Sequence, residues 1–182
     1  MPRRVVSSLY MTLDGYLDEP GRWAFPFWSD QAAEFKAAEL AAADALLLGR
    51  KTYEGFASVW PRMEAETGEF GAKMNSMPKH VASRTLAAAT WNATIIEGDV
   101  ADGVRGLKAR DGDGDLLIGG SGTLVTYLSN AGLIDEYRFL IHPIVLGDGS
   151  LRLFDGATRT NLRLTATRQF PNGIVLLTYV PE

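Results

Sequence analysis

Apolar and polar positions along the chain alternate in two rhythms. From Arg4 to Tyr10 the run RVVSSLY is apolar and β-branched, and it meets the turn signal Thr12-Leu13-Asp14-Gly15-Tyr16. This predicts a first strand over 4–10 and a loop continuing to about Trp28. Ser29 then stands as a helix N-cap, Asp30 and Glu34 place negative charge in the first turns, and an Ala-rich stretch anchored by Phe35 and Leu40 predicts a helix over 30–43. The wholly apolar ALLLG at 45–49 reads as a strand covered on both faces, with RKTYEGF starting a helix behind it.

Further strands are predicted at 79–83, 93–97, 115–118, 136–142, 162–169 and 174–180, the last two flanking Phe170-Pro171-Asn172-Gly173, a hairpin signal. Helical spacing recurs at Val100, Val104 and Leu107 behind Asp99, and at Leu124, Leu128 and Gly132 behind Ser121. Strands alternating with helices and closing on a hairpin predict an α/β fold whose sheet is parallel at first and antiparallel at its end. The acidic segment KARDGDGD at 108–115 lacks the further ligands and spaced glutamate of an EF-hand and reads as a solvated turn.

Composition narrows the functions. A chain of 182 residues fits one domain, taken as 1–182. Its 18 Lys+Arg against 22 Asp+Glu, a formal charge of −4, offer no general attraction to nucleic acid or anionic membrane, so any anion site is local. Cysteine is absent and the only imidazoles are His80 and His142, a poor supply for a metal centre or a Ser-His-Asp triad. The short apolar run after Met1-Pro2-Arg3-Arg4 soon meets Asp14, so a soluble, cytoplasmic protein is expected.

Candidate chemistry gathers where strands give way to helices, since helix N-termini present free N–H groups there. At Gly49-Arg50-Lys51-Thr52 a glycine, two cations and a hydroxyl fit either a phosphate site or a solvated helix start; the spacing is not that of a Walker A loop, whose first glycine is replaced by Asp44. In LLIGGSGTL, residues 116–124, the glycines permit close approach of a flat or anionic ligand or a plain turn, and Val125 at the third glycine position rules out a dinucleotide fingerprint. Ser83-Arg84-Thr85 joins one guanidinium to two hydroxyls, a combination suited to a phosphomonoester.

The ordered set SLYMTLDGYLD, ALLLGRKTYEGF, HVASRT and DLLIGGSGTLVTYLSNAGLIDEYRFLIHPIVLGDGSLRLF resembles the dihydrofolate reductase-like fold, in particular the C-terminal reductase domain of the riboflavin-biosynthesis deaminase/reductase, over nearly the whole chain. The resemblance implies a mainly parallel mixed sheet flanked by helices with a C-terminal antiparallel hairpin, and a homodimer; the apolar strands 136–142 and 174–180 fit either its interface or a buried core face. It implies NADPH as cofactor: Gly49, Arg50, Lys51 and Thr52 would hold its phosphates, Ser83, Arg84 and Thr85 its adenosine ribose and 2′-phosphate. Gly119, Gly120, Ser121, Gly122 and Thr123 would line the pyrophosphate and nicotinamide side, with unusual peptide geometry at Gly119-Gly120.

The implied activity is hydride transfer to a C=N-containing heterocycle, of the 5-amino-6-(5-phosphoribosylamino)uracil reductase type. Dihydrofolate or pterin reduction, or NADPH binding without turnover, are the alternatives. Departures bear on the substrate. The riboflavin reductases commonly carry a lysine near Ser8, an acidic residue at Phe56 and a glutamate at Ile118, and here those polar groups are absent. Asp30 and Glu34 are the candidate proton donors and equally fit capping carboxylates, with water as a further donor. Asp14 and Trp28 are candidate substrate contacts; Asp14 also fits a loop-fixing turn residue. Trp23, Phe25, Phe27 and Trp28 are aromatics that would stack on a flat ring or cover the sheet edge.

Overall fold

In the computed structural model, which describes residues 2–182, strand β1 (Val5–Thr12) leads into a loop with two short 3-10 turns, Pro20–Arg22 and Phe25–Phe27. Helix α1 (Asp30–Ala41), strand β2 (Ala43–Gly49) and helices α2 (Arg50–Thr67) and α3 (Glu69–Ser76) follow. Next come β3 (Lys79–Ala82), β4 (Ala93–Ile95), α4 (Val100–Lys108), β5 (Asp115–Gly119) and α5 (Gly122–Asn130). The chain closes with β6 (Glu136–His142), β7 (Leu162–Gln169) and β8 (Val175–Pro181).

The strands form one sheet in the order β4-β3-β2-β5-β1-β6-β8-β7. Pairings from β4 through β6 are parallel, and β8 runs antiparallel to both β6 and β7. The hairpin turns where the sequence signals it: Asn172 and Gly173 both take positive φ, 60° and 90°, which matches the twist of the flanking strands.

Period-two alternation sorts the side chains onto two faces. Val5, Leu9, Leu47, Leu116 and Ile118 enter a core closed by α4 and α5, while Val6, Leu46, Leu48 and Leu117 pack with Tyr53 of α2 and Met74 of α3. A third cluster joins Ala32 of α1 to Leu140, Phe170, Ile174 and Leu176. Strand β6 buries Tyr137, Phe139 and Leu140, whereas in 174–180 only Ile174 and Leu176 are buried and Val175, Leu177, Tyr179 and Val180 are half-buried; β7, at the edge beside β8, is largely exposed.

Two boundaries differ from the sequence reading. Helix α1 ends at Ala41 and β2 starts at Ala43, because Asp44 bulges out of the ladder; its carboxylate accepts from the Gly114 N–H at 2.9 Å and pairs with Arg3 at 3.4 Å. Helix α3, which the pattern did not announce, doubles back at Gly68, whose φ of 57° ends α2.

Carboxylates tie the loop after β1 to the segment after β6. Asp14 accepts from the Thr12 hydroxyl at 2.6 Å and from the backbone N–H groups of Leu146 and Gly147 at 3.2 and 2.8 Å; these bonds, the Thr12 hydroxyl first, lower its pKa to about 2. Asp18 accepts from the N–H groups of Ser150 and Leu151, at 3.0 and 2.9 Å. No helix among the described residues is long and apolar enough to cross a membrane.

Candidate functional site

The carboxyl ends of β3, β2, β5 and β1 lie side by side, because those strands are parallel neighbours. Three of the predicted junctions are thereby brought onto one rim. Ala82, just before Ser83, is in register with Gly49, and Gly119 is in register with Ser8. The Ser121 hydroxyl accepts from the Gly49 N–H at 2.8 Å, joining the Gly49 and Gly119–Thr123 junctions directly. Ser121 is thus no ordinary helix cap: it sits in the left-handed region (φ 60°, ψ 52°) and gives its oxygen to β2 instead of to α5.

The glycines there serve different ends. Gly120 has a φ of 81°, and a Cβ on it would come within 3.3 Å of Thr52 Cγ2, so the turn is pressed against the start of α2. Its peptide bond to Gly119 is trans, as are all among the described residues, so the unusual peptide geometry implied by the resemblance is not adopted. Gly122 is buried, and a Cβ on it would lie 2.3 Å from Leu17 Cδ1; its lack of a side chain serves packing of the β1 loop. Thr123 is exposed, Thr52 is half-buried, and Phe56 comes to 4.0 Å from the position of a Cβ on Gly119.

Around this rim Arg50, Lys51 and Arg84 are exposed and, among the described residues, form no ion pair. Arg50 and Lys51 open α2, whose first N–H groups have no intrahelical partner, so two cationic residues stand at the same helix end as free backbone donors. The Ser83 hydroxyl accepts from the N–H groups of Thr85 and Leu86 at 3.2 and 3.0 Å, shaping the turn that presents Arg84 and Thr85.

Asp30 and Glu34 do not face this place. At 3.6 residues per turn they fall on the side of α1 opposite Ala32, Lys36 and Glu39, and both are exposed. The proton-donor role assigned to them thus meets a helix turned the other way. What α1 brings to β1 is charge of a kind the sequence reading missed. Lys36 Nζ donates to Ser8 Oγ at 2.9 Å, lies 5.5 Å from the Tyr10 ring centroid, and pairs with buried Glu39. Glu39 also pairs with Arg138 of β6 at 3.0 Å, and Arg138 with Glu136 at 2.6 Å. The signal was present as Lys36 and Glu39 one turn apart in phase with Ala32 and Leu40.

Burial alone would lower the pKa of Lys36 and raise that of Glu39, yet each shifts the other way because their mutual field prevails. Both are therefore ionised at neutral pH. Burial raises the pKa of the Tyr10 phenol, with Lys36 opposing, so that group stays protonated.

The aromatics of the β1 loop divide. Trp28 lies edge-on to Tyr10 at 5.9 Å, just ahead of α1, while Trp23 and Phe27 enclose His142 at 5.0 and 6.0 Å; Phe25 is exposed. His142 Nδ1 donates to the Leu140 carbonyl at 2.9 Å and its Nε2 has no partner; burial lowers its pKa, leaving a neutral imidazole in an apolar box. Ile118 faces the core beneath α5. A groove of about 500 Å³ between the end of α5 and the 158–160 segment lies at the opposite end of the sheet from these groups.

Sheet order, a C-terminal hairpin and glycine-bearing junctions at the ends of β2 and β5 define a dihydrofolate reductase-like α/β protein. The chain belongs to the RibD C-terminal domain family, whose profile matches residues 3–176. It is 32% identical over 180 residues to the uncharacterized protein YyaP of Bacillus subtilis (strain 168), covering 97% of this chain and 94% of that one. Its fold is similar to a protein from Shewanella sp. PV-4 named for riboflavin biosynthesis, with a TM-score of 0.77 at 20% identity over 100% of this chain and 99% of that one. It is also similar to the dihydrofolate reductase of Enterococcus faecalis complexed with NADP(H) and RAB-propyl, with a TM-score of 0.65 at 14% identity over 98% and 96% of the two chains.

Proposed function

We propose that the protein is an NADPH-dependent reductase that acts on a C=N-containing heterocycle. The observation that carries this reading is the alignment, on neighbouring strand ends, of the unpaired cations Arg50, Lys51 and Arg84 with the N-terminus of α2 and the Gly119–Gly120 turn. Such an array suits a long ligand with anionic groups spaced along it. The Enterococcus faecalis enzyme of the same fold is complexed with NADP(H).

Arg50 and Lys51 would hold phosphate oxygens together with the first N–H groups of α2. Arg84 and Thr85 would take a 2′-phosphate, while Ser83 keeps their turn in shape. The crowding of Gly120 against Thr52 leaves bare backbone on the rim, where a flat ring can lie close. When bound, the cofactor supplies the hydride, and the chain aligns the partners and excludes water. The substrate ring would lie between the Gly119–Gly120 turn and the α1 side of the cleft, against Ser8, Tyr10 and Trp28. With Phe56 over Gly119 and Ile118 in the core, these positions present no acidic group to it, which argues against the riboflavin-pathway phosphoribosyl substrate.

Quenching of tryptophan fluorescence by NADPH and by NADH tests the reading. NADPH is expected to bind more tightly; Arg84→Ala weakens NADPH alone, by about tenfold or more, as loss of a charge-assisted contact does. Arg50→Ala weakens both cofactors. Absence of binding by either cofactor would refute the reductase reading, and equal affinity for the two would refute the role of Arg84.

A further inference from the structure

The polar cluster on the α1 side of the cleft has a definite hydrogen-bonding sense. Both oxygens of Glu39 are engaged, one by Lys36 and one by Arg138, and its side chain is 1% exposed, so burial closes this carboxylate to a ligand. Donors are left over. The Lys36 ammonium has three N–H groups and gives two of them to Ser8 Oγ and Glu39, while its side chain keeps 13% exposure. The half-buried Tyr10 phenol is protonated and lies beside that ammonium. Ser8, whose oxygen accepts from Lys36, is the register partner of Gly119, and its carbonyl accepts from the Gly120 N–H at 3.4 Å. The donors thus sit at the strand that borders the glycine turn.

We propose that Lys36, with Tyr10, determines substrate specificity by recognising a carbonyl oxygen on the heterocycle and by rejecting a ligand edge that presents an exocyclic amino group in its place. The inference rests on the reductase reading only in placing the ring between α1 and the Gly119–Gly120 turn. Its physical basis is that a donor edge held against an ammonium and a phenol O–H loses its hydration and gains no partner, whereas an acceptor edge gains a charge-assisted bond. A carboxylate at this point would impose the opposite preference. The engagement of Glu39 by two cations is what withholds one.

Two ligands with the same ring and opposite exocyclic groups test this directly: pteridine-2,4-dione and 2,4-diaminopteridine, titrated calorimetrically with and without NADPH near neutral pH, where both rings are uncharged. Wild type is expected to bind the dione tighter by roughly tenfold or more, the usual scale for an unmatched polar edge. In Lys36→Met the ammonium that favours the carbonyl edge is gone, and the preference shrinks or disappears. Tyr10→Phe, which changes no charge, weakens the dione several-fold and leaves the diamine unaffected, so the inference stays testable if Lys36→Met folds poorly. The inference is overturned if wild type prefers the diamine, binds neither pteridine, or if both variants keep the wild-type preference. NADPH titration is read separately. Lys36→Met should bind NADPH as wild type does, and failure of wild type to bind NADPH strikes the reductase reading without altering the pteridine result.

Discussion

Replacing Glu39 with glutamine removes the one carboxylate that two shielded cations share. The Glu39 side chain is 1% exposed, those of Lys36 and Arg138 are 13% and 16% exposed, and Arg138 retains Glu136 at 2.6 Å. The stranded group is therefore Lys36, left with the Ser8 hydroxyl and a neutral amide oxygen. Breaking a buried ion pair from one side costs about 3–5 kcal/mol, and the surviving amide contact places this case near the lower end, about 3 kcal/mol. For a chain of this length that is a fall in Tm of about 6–12 °C. The acid side supplies a second check. Glu39 has a folded pKa depressed below its ordinary 4.5, so its contribution is fully present above that value and is lost as pH falls through the folded pKa. The gap between wild type and Glu39→Gln should be widest near neutrality and narrow in acid. Urea unfolding followed by tryptophan fluorescence across this pH range measures both. A loss under about 1 kcal/mol at neutral pH, or a gap that widens on acidification, would refute the reasoning. The double variant Lys36→Met, Glu39→Met should recover part of the loss seen in Glu39→Met alone, since the uncompensated ammonium is gone.

Ser121→Ala deletes the acceptor of the Gly49 N–H; a loss of about 1 kcal/mol is expected, together with weaker NADPH binding, and calorimetry with a cofactor titration would show both. Unchanged affinity would mean that the tie between the two junctions does not shape the rim. Asp18→Ala frees the N–H groups of Ser150 and Leu151, so amide exchange there should accelerate while exchange in β1 and β5 stays slow. The folded pKa of Asp18 is depressed, so in wild type the same loosening should set in as pH falls below the ordinary carboxylate range.

Much of the fold was legible from local pattern because local physics dictated it. The apolar run ALLLG needs cover on both faces, and the structure buries it between two cores. Asn172-Gly173 tolerates two positive φ angles, and the hairpin forms there. Ser29 and Asp99 cap α1 and α4 through bonds of 3.3 and 3.1 Å to the third residue on. Helix α3 escaped the pattern because Gly68 is a signal of one residue, and the segment behind it is apolar at too few positions to display a period.

The site was legible as parts. Glycines, cations and hydroxyls at strand ends are local signals, and the order of the motifs indicated one rim. Their juxtaposition belongs to the sheet: β3, β2 and β5 are adjacent although β5 comes 32 residues after β3. The polarity of the α1 side was decided at the same level. In the sequence Asp30 and Glu34 look as available as Lys36 and Glu39, and Ser8 marks a missing lysine. Only the rotation of α1 about its axis, set by the burial of Ala32 and Leu40, turns the first pair to water. The same rotation brings an ammonium from α1 to Ser8, and a charge pattern that depends on helix phase and on a partner 99 residues away at Arg138 has no local signature.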